Sequence, residues 1–360
     1  MDFFELLKFS IGAIRQEALS QTETDWEAVH EMATKQSLLG VIYQGITKLP
    51  KESRPEKKML LKWYMESEQI RKVNEKVNTA AVNVTRMFEQ AGIENCILKG
   101  QGNALMYEDV YARIPGDIDI WINPAKAVVN DGKLIVGHKQ LPVEKVSYRH
   151  IEMGLVGGVE LEVHLRPSFM NNLIYNRRLQ KWFDEQSSSQ YGHSVELPGG
   201  IGRINIPTVE FNLVYQLCHI TNHFFYEGIG LRQFVDYYYL LKEAEPVCKD
   251  NVLQSIKKFG LYQMAGAVMY VEKNLLGLDD SRLLVPVDEK RGAFMVDEII
   301  QSGNFGKFDS RVTNFNRRTA LGRNLERLRR DCRLMWLFPS ESLNEPLFRL
   351  FHYLWRVKNS

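Results

Sequence analysis

Asp117 and Asp119 stand two residues apart in Gly116-Asp117-Ile118-Asp119-Ile120. In a β-strand, side chains at i and i+2 point to the same face, roughly 6–7 Å apart along the backbone. The two carboxylates therefore project together, while Ile118 and Ile120 project into a core. Paired carboxylates on a rigid face suit a hard divalent cation such as Mg²⁺, which takes oxygen ligands and shares them with substrate phosphates. Phosphoryl transfer with two such ions needs them about 3.5–4 Å apart, with a third carboxylate from a neighbouring strand. The segment Val159-Glu160-Leu161-Glu162-Val163-His164 alternates in the same way and offers Glu160, Glu162 and His164 on one face. The plain alternative is that Asp117 and Asp119 sit on the solvated face of an edge strand.

Phosphate handling has candidates upstream. Lys99-Gly100-Gln101-Gly102 reads as a turn into a short helix. Gly100 and Gly102 would let backbone N–H groups approach an anion closely. Lys99 would add a point charge and Arg113 a forked one. Against this, Lys99 reads equally as a surface lysine, and Arg113 as a salt-bridge partner of one of the aspartates. Gly100-x-Gly102 with an acid downstream imitates a dinucleotide-binding fingerprint, but Leu105 stands where that motif needs a small residue.

The elements that must position these residues follow from the pattern. Residues 1 to about 75 read as helices, with a capping box at Thr24-Asp25-Trp26-Glu27. The stretch from Glu56 to Gln90 lacks Gly and Pro, and predicts one long helix or two in register that end at Ala91-Gly92. A mixed unit follows, with strands at Cys96–Leu98, Ile118–Ile122, Val146–Met153, Val159–Leu165 and near Arg203–Ile206, and with a helix or helix-plus-loop over Ala125–Val136. After Pro207 the chain returns to helices at Val209–Phe225, Leu231–Lys242, Val252–Phe259 and Gln263–Leu276. The expected fold is α+β, with a small mixed β-sheet core over 76–206, an N-terminal helical region over 1–75 and a C-terminal helical domain over 207–360.

Leu98-Lys99-Gly100, Arg113-Ile114-Pro115-Gly116-Asp117-Ile118-Asp119-Ile120 and Leu161-Glu162-Val163-His164-Leu165 together resemble the uncharacterised nucleotidyltransferase family of bacterial proteins, in the DNA polymerase β-like superfamily. Leu217-Cys218-His219, His223, Leu231-Arg232-Gln233-Phe234-Val235-Asp236, Ser302-Gly303-Asn304-Phe305-Gly306-Lys307 and Phe351-His352-Tyr353-Leu354-Trp355-Arg356 extend the similarity over most of the chain. The resemblance implies a polymerase β-like core in which Asp117, Asp119 and Glu162 hold Mg²⁺, or Mn²⁺ in its place. They would transfer a nucleoside monophosphate from an NTP to an acceptor hydroxyl and release pyrophosphate. Lys99, Gly100, Gly102 and Arg113 would bind the nucleotide, with Glu160 and His164 supporting the acids. The chain departs from the superfamily at two points: Lys99-Gly100 replaces the usual Gly-Ser or Gly-Gly turn, and the third acid is Glu rather than Asp. An idle nucleotide-binding or regulatory protein on the same fold is the alternative.

Bulk properties narrow the partners. The 360 residues carry a net charge of +2, so the whole chain is no obvious polyanion binder. Nine Lys/Arg against three acids nevertheless make residues 307–333 locally +6. Arg323, Arg327 and Arg330 would share a helix face there, either as solvated surface or as a wall for a triphosphate. Phe315, Leu325, Leu328 and Trp336 read as helix-packing residues. His219 and His223, four apart, read as structural histidines of a cleft rather than zinc ligands, and Arg232 and Asp236 as an intrahelical ion pair. The four cysteines are scattered, which argues against a disulfide framework or a cysteine zinc site. An acidic start and no long apolar run predict a cytoplasmic protein with no membrane partner. The acceptor is expected to be a small molecule first, with protein or RNA as further options.

Overall fold

The longest element explains the layout. Helix α4 (Lys57–Gln90) runs 34 residues without interruption, about 50 Å at 1.5 Å per residue. Its first half buries Met59 and Trp63 in one apolar cluster, and its second half buries Val77, Val84 and Phe88 in another. The structure, a computed structural model, describes residues 1–20, 22–130, 132–311 and 319–359. Before α4 come α1 (Phe3–Ser10), α2 (Trp26–Lys35) and α3 (Leu39–Lys48). The cap of α2 is Asp25, whose side chain accepts from Ala28 N, rather than Thr24. Gly92 closes α4 at φ +70°, the left-handed conformation expected after its last turn.

The central sheet has five strands in the order β1-β2-β8-β7-β6. These are β1 (Asn95–Ile97), β2 (Ile118–Ile122), β6 (Lys145–Val146), β7 (His150–Val156) and β8 (Val159–His164). Only β2 and β8 run parallel; the other pairs are antiparallel. Ile118, Ile120 and Ile122 face α4 in the second cluster. Trp121 faces the other way, stacked on Phe211 at 5.6 Å. That second face is covered by α6 (Leu173–Tyr191) and α7 (Val209–Tyr226). From Phe211 to Asn222 every residue of α7 is buried, so the helix is enclosed on all sides. Around it lie α8 (Leu231–Glu243), α9 (Pro246–Lys258), α10 (Tyr262–Asn274) and α11 (Glu289–Ser302), then α12 (Ala320–Leu334) and α13 (Pro339–Asn359).

The architecture is α+β, as the sequence predicts, with four local differences. Residues 128–142 form a three-stranded sheet of β3 (Val128–Asn130), β4 (Lys133–Val136) and β5 (Lys139–Pro142), not a helix. Positive φ at Gly132 and Gly137 allows the tight reversals between those strands. The strand expected over Val146–Met153 is broken into β6 and β7 at Ser147–Arg149. Helix α6 has no counterpart in the sequence reading; its many polar side chains hide a buried stripe of Asn176, Leu179, Phe183 and Gln190. The strand expected near Arg203–Ile206 is β10 (Arg203–Asn205), paired with β9 (Ser194–Glu196) away from the main sheet. Packing also crosses the expected boundaries: the boundary at 75/76 falls inside α4, and the N-terminal helices share one apolar cluster with α7, α8 and α10.

Candidate active site

The acids come together through strand register. Parallel pairing puts Asp119 directly beside Glu162, and alternation turns both away from α4 toward α7. Asp117 lies two residues before Asp119 and lines a narrow pocket with Lys99 and Gly100. One ligand atom from each of Asp117, Asp119 and Glu162 lies within 4.8 Å of the others. Glu160 does not join them: it is exposed at the start of β8, opposite Leu155.

Asp119 is 2% exposed and holds the centre. Lys99 Nζ lies 3.0 Å from its Oδ2, and His164 Nε2 lies 2.7 Å from its Oδ1. Burial pushes the Asp119 carboxyl up, but Lys99 and the His164 hydrogen bond outweigh it and hold the group well below the usual range. The same acid raises its neighbour: the Asp119 charge lifts Asp117, against the pull of Lys99. Burial also pushes Glu162 up, yet its hydrogen bond from His164 brings it down to about 2. His164 has Nε2 3.3 Å from Glu162 as well, and its Nδ1 3.4 Å from the Arg166 carbonyl. All three neighbours only accept hydrogen bonds, so both ring nitrogens carry protons. Burial alone would lower this ring; Asp119 and Glu162 raise it instead.

The loop that leads into β2 has no regular structure, so its position depends on tethers. Asn74 of α4 donates to the carbonyls of Tyr111 and Arg113 at 3.0 and 2.9 Å. Arg71 Nη2 meets Asp109 at 2.9 Å, and Gly40 of α3 packs against Ala112. Helix α5 (Gln101–Ala104) is a single turn, held by Gln101 on Asn78 and by Asn103 on Asp236.

Three expected roles change here. Arg113 is not free to fork a phosphate: its Nε and Nη2 bind Asp236 Oδ1 and Oδ2, each at 2.8 Å. Asp236 also accepts from Tyr107 at 2.6 Å and from Asn103 at 3.2 Å, so it is paired with Arg113 across the fold rather than with Arg232 along α8. Arg232 is left 8% exposed with its Nε unpartnered, and Nη1 alone donates, to the Ile114 carbonyl at 3.0 Å. Burial, and then the like charge of Arg113, lower it to about 10. Gly102 is a packing glycine: a Cβ there would meet Ile206 at 2.8 Å. Gly100, with φ +65°, does line the pocket beside Lys99, Asp117, His219, Arg232 and Phe305.

Two spaces flank the acids. The pocket over Lys99 and Arg232 is narrow, about 20 Å³. On the other side Glu162 faces a cleft of about 660 Å³, walled by Arg149, His150, His223, Arg327, Phe348, Arg349 and Tyr353. His219 faces the first space and His223 the second, with their rings 4.3 Å apart. Burial lowers both, which keeps them neutral. The expected arginine face divides: Arg327 lines the cleft, whereas Arg330 is buried with Nη2 3.4 Å from the Glu227 carbonyl. Leu325, Leu328 and Trp336 are 41%, 48% and 83% exposed rather than buried between helices. Phe315, Arg317, Arg318 and the Arg323 side chain lie outside the described residues.

Residues 22–277 match the family of uncharacterised nucleotidyltransferases. The chain belongs to that family. The match runs from α2 through α10 and includes every acid and histidine of the site described above, but not the arginines beyond residue 277, among them Arg327, Arg330 and Arg349. Among solved structures, an antigenic nucleotidyltransferase-like protein from Paracoccidioides brasiliensis aligns at 14% identity and a TM-score of 0.28 over 52% of this chain and 91% of its own. No curated protein matches.

The sequence missed Arg149, His150 and Arg232. Arg232 was read only as an ion-pair partner of Asp236; with Gln233 and Asp236 it is one of three polar residues in the otherwise apolar and aromatic run Leu231–Leu241. Nothing in the spacing gives His150. Val156 pairs with Val159, yet after a bulge His150 pairs with His164, one residue off the hairpin's starting register.

Proposed function

We propose that this nucleotidyltransferase-family chain transfers a nucleoside monophosphate from an NTP to an acceptor hydroxyl and releases pyrophosphate. The convergence of Asp117, Asp119 and Glu162 within 4.8 Å carries the reading. This set fits a hard divalent cation, Mg²⁺ or Mn²⁺: all three donors are carboxylates, and such ions take oxygen ligands. When bound, the cation neutralises charge that builds on the phosphoryl oxygens.

The chain's own residues divide the remaining work. Lys99 and Arg232 flank the narrow pocket with positive charge, and Gly100 leaves its floor free of a side chain. A buried guanidinium with an unfilled donor is costly, and at about 20 Å³ the pocket has room for a single phosphate oxygen to relieve that cost. Glu162, held at about 2, stays ionised and is a weak base; it suits cation binding better than proton abstraction. Asp117, raised by Asp119, is the more basic of the acids. The acceptor enters by the larger cleft, whose 660 Å³ fits a small molecule. Four free cysteines, Cys96 and Cys218 among them buried, accord with a reducing cytoplasm.

The test is transfer of label from α-phosphate-labelled NTPs, with Mg²⁺ or Mn²⁺ and a small-molecule acceptor pool, read together with pyrophosphate release. Arg232→Gln is expected to weaken nucleotide binding about tenfold or more, in line with ~1.5–3 kcal/mol for a hydrogen bond to a charged group. Unchanged nucleotide affinity would remove Arg232 from the phosphate site. A second reading has its own support: Lys99 and His164 already neutralise Asp119, as they would in an idle nucleotide-binding protein. That reading predicts binding without label transfer.

A further inference from the structure

We propose that His150, Glu162 and His164 form a second divalent-cation site, selective for a transition metal such as Zn²⁺ or Co²⁺, beside the three-carboxylate site. The proposal rests on the active-site reading only in sharing Glu162 with it.

The donors are arranged around a common point. His150 and His164 are direct cross-strand partners on β7 and β8, with ring centroids 5.2 Å apart, and Glu162 lies two residues before His164. Glu162 Oε2 is 3.3 Å from His150 Nδ1 and 3.3 Å from His164 Nε2, and one ligand atom from each of the three residues lies within 4.8 Å of the others. Nitrogen and oxygen ligands at about 2.0–2.2 Å from one ion, spaced tetrahedrally or octahedrally, lie about 3.0–3.5 Å from each other. The two measured contacts have that spacing.

Proton placement leaves a lone pair on His150 that a cation can take up. Arg149 Nε donates to His150 Nδ1 at 3.0 Å, so Nδ1 presents a lone pair. Glu162 Oε2, 3.3 Å away, accepts only. Two acceptors thus face each other with no hydrogen between them, a repulsive contact unless a positive charge lies alongside. Arg149 supplies that charge, with its Nη2 3.8 Å from Glu162 Oε2. The guanidinium stands in for the cation, on the side where Arg149 and Glu162 both line the large cleft. An incoming metal displaces Arg149 from Nδ1 and the proton from His164 Nε2.

Ligand chemistry sets the selectivity. Imidazole suits Zn²⁺, Co²⁺ and Ni²⁺, whereas Mg²⁺ takes oxygen. The neighbouring all-carboxylate set, Asp117, Asp119 and Glu162, keeps the opposite preference. The acids and histidines therefore sort two ions by hardness.

The experiment titrates the full, metal-stripped chain with Co²⁺, following its visible absorption, and separately with Mg²⁺ by calorimetry. Wild type, His150→Gln, Arg149→Gln and Asp117→Asn are compared, with circular dichroism as the check on folding. Co²⁺ binding with an absorption band is expected in wild type. It should weaken about tenfold or more in His150→Gln, tighten in Arg149→Gln, and persist in Asp117→Asn. Mg²⁺ affinity should hold in His150→Gln and fall in Asp117→Asn. Equal Co²⁺ affinity in wild type and His150→Gln would overturn the proposal, as would a parallel loss of both metals or weakened Co²⁺ binding in Arg149→Gln. These readouts need no nucleotide, so absent label transfer would defeat the proposed reaction and leave this site standing.

Discussion

Asp117 and Asp119 carry the same side chain but do different work, and substitution should separate them. Asp119 is buried between two cations, Lys99 and His164. Asp119→Asn strands both, which costs about 3–5 kcal/mol when a buried pair loses one partner. Asp117 is held against repulsion from Asp119, so Asp117→Asn relieves a like-charge contact. The variant is expected to unfold at the same urea concentration as wild type or a higher one, while label transfer falls about 100-fold or more, the scale seen when one electrostatic stabiliser is removed. Equal destabilisation by the two substitutions, measured in urea melts, would mean that Asp117 is also a structural acid. Both aspartates were legible from their two-residue spacing, because a strand's side-chain period is fixed. Arg113 was legible only as two options. Which carboxylate it meets depends on α8, more than a hundred residues away, and no local pattern encodes that.

At the scale of elements, the site depends on a loop with no hydrogen-bond ladder of its own. Gly40 of α3 lies so close to that loop that a Cβ would fall 2.2 Å from the Ala112 carbonyl oxygen. Gly40→Ala must displace residues 109–117, at a cost of about 1–3 kcal/mol for overpacking, and should lower transfer activity along with stability. Gly92→Ala is the control. Nothing lies within 4 Å of its added Cβ, but φ is +70°, so it should lose about 1 kcal/mol with activity intact. If Gly40→Ala melts normally and turns over normally, α3 does not position the loop. The long α4 was readable because it lacks Gly and Pro, and β2 and β8 because apolar and polar residues alternate in each; α9 was read only from Val252, although it starts at Pro246. The three small strands over 128–142 were not: Val128-Val129 and Leu134-Ile135 suit a strand or a helix, and only long-range pairing decides. The bulge in β7 escaped for a similar reason, since one unpaired residue near Gly154 shifts the register of everything before it.

Over the whole molecule, α13 closes the large cleft against the sheet, and one buried acid fastens it. Glu341 accepts from the backbone N–H groups of Asn171 and Asn172 at 2.7 and 3.4 Å. Burial nevertheless raises its carboxyl to about 7. A raised acid contributes stability that is complete below its unfolded pKa, near 4.5, and is lost as pH climbs through 7. His219 and His223, lowered by burial, act oppositely: their contribution is complete above about 6.5 and is lost as pH falls. Glu341→Gln should therefore raise the melting temperature at pH 8 and not at pH 4, with a difference on the order of 3 kcal/mol between the two. A pH-independent effect would place Glu341's proton elsewhere. The central claim is that Asp117, Asp119 and Glu162 hold the cation that carries the nucleotide, and binding of a non-hydrolysable NTP analogue tests it most directly. Calorimetric titrations with and without Mn²⁺, on wild type and Asp117→Asn, should show tight binding only for wild type with Mn²⁺, weakened about tenfold or more by the substitution. Binding that is equally tight without Mn²⁺, or unchanged in Asp117→Asn, would contradict it.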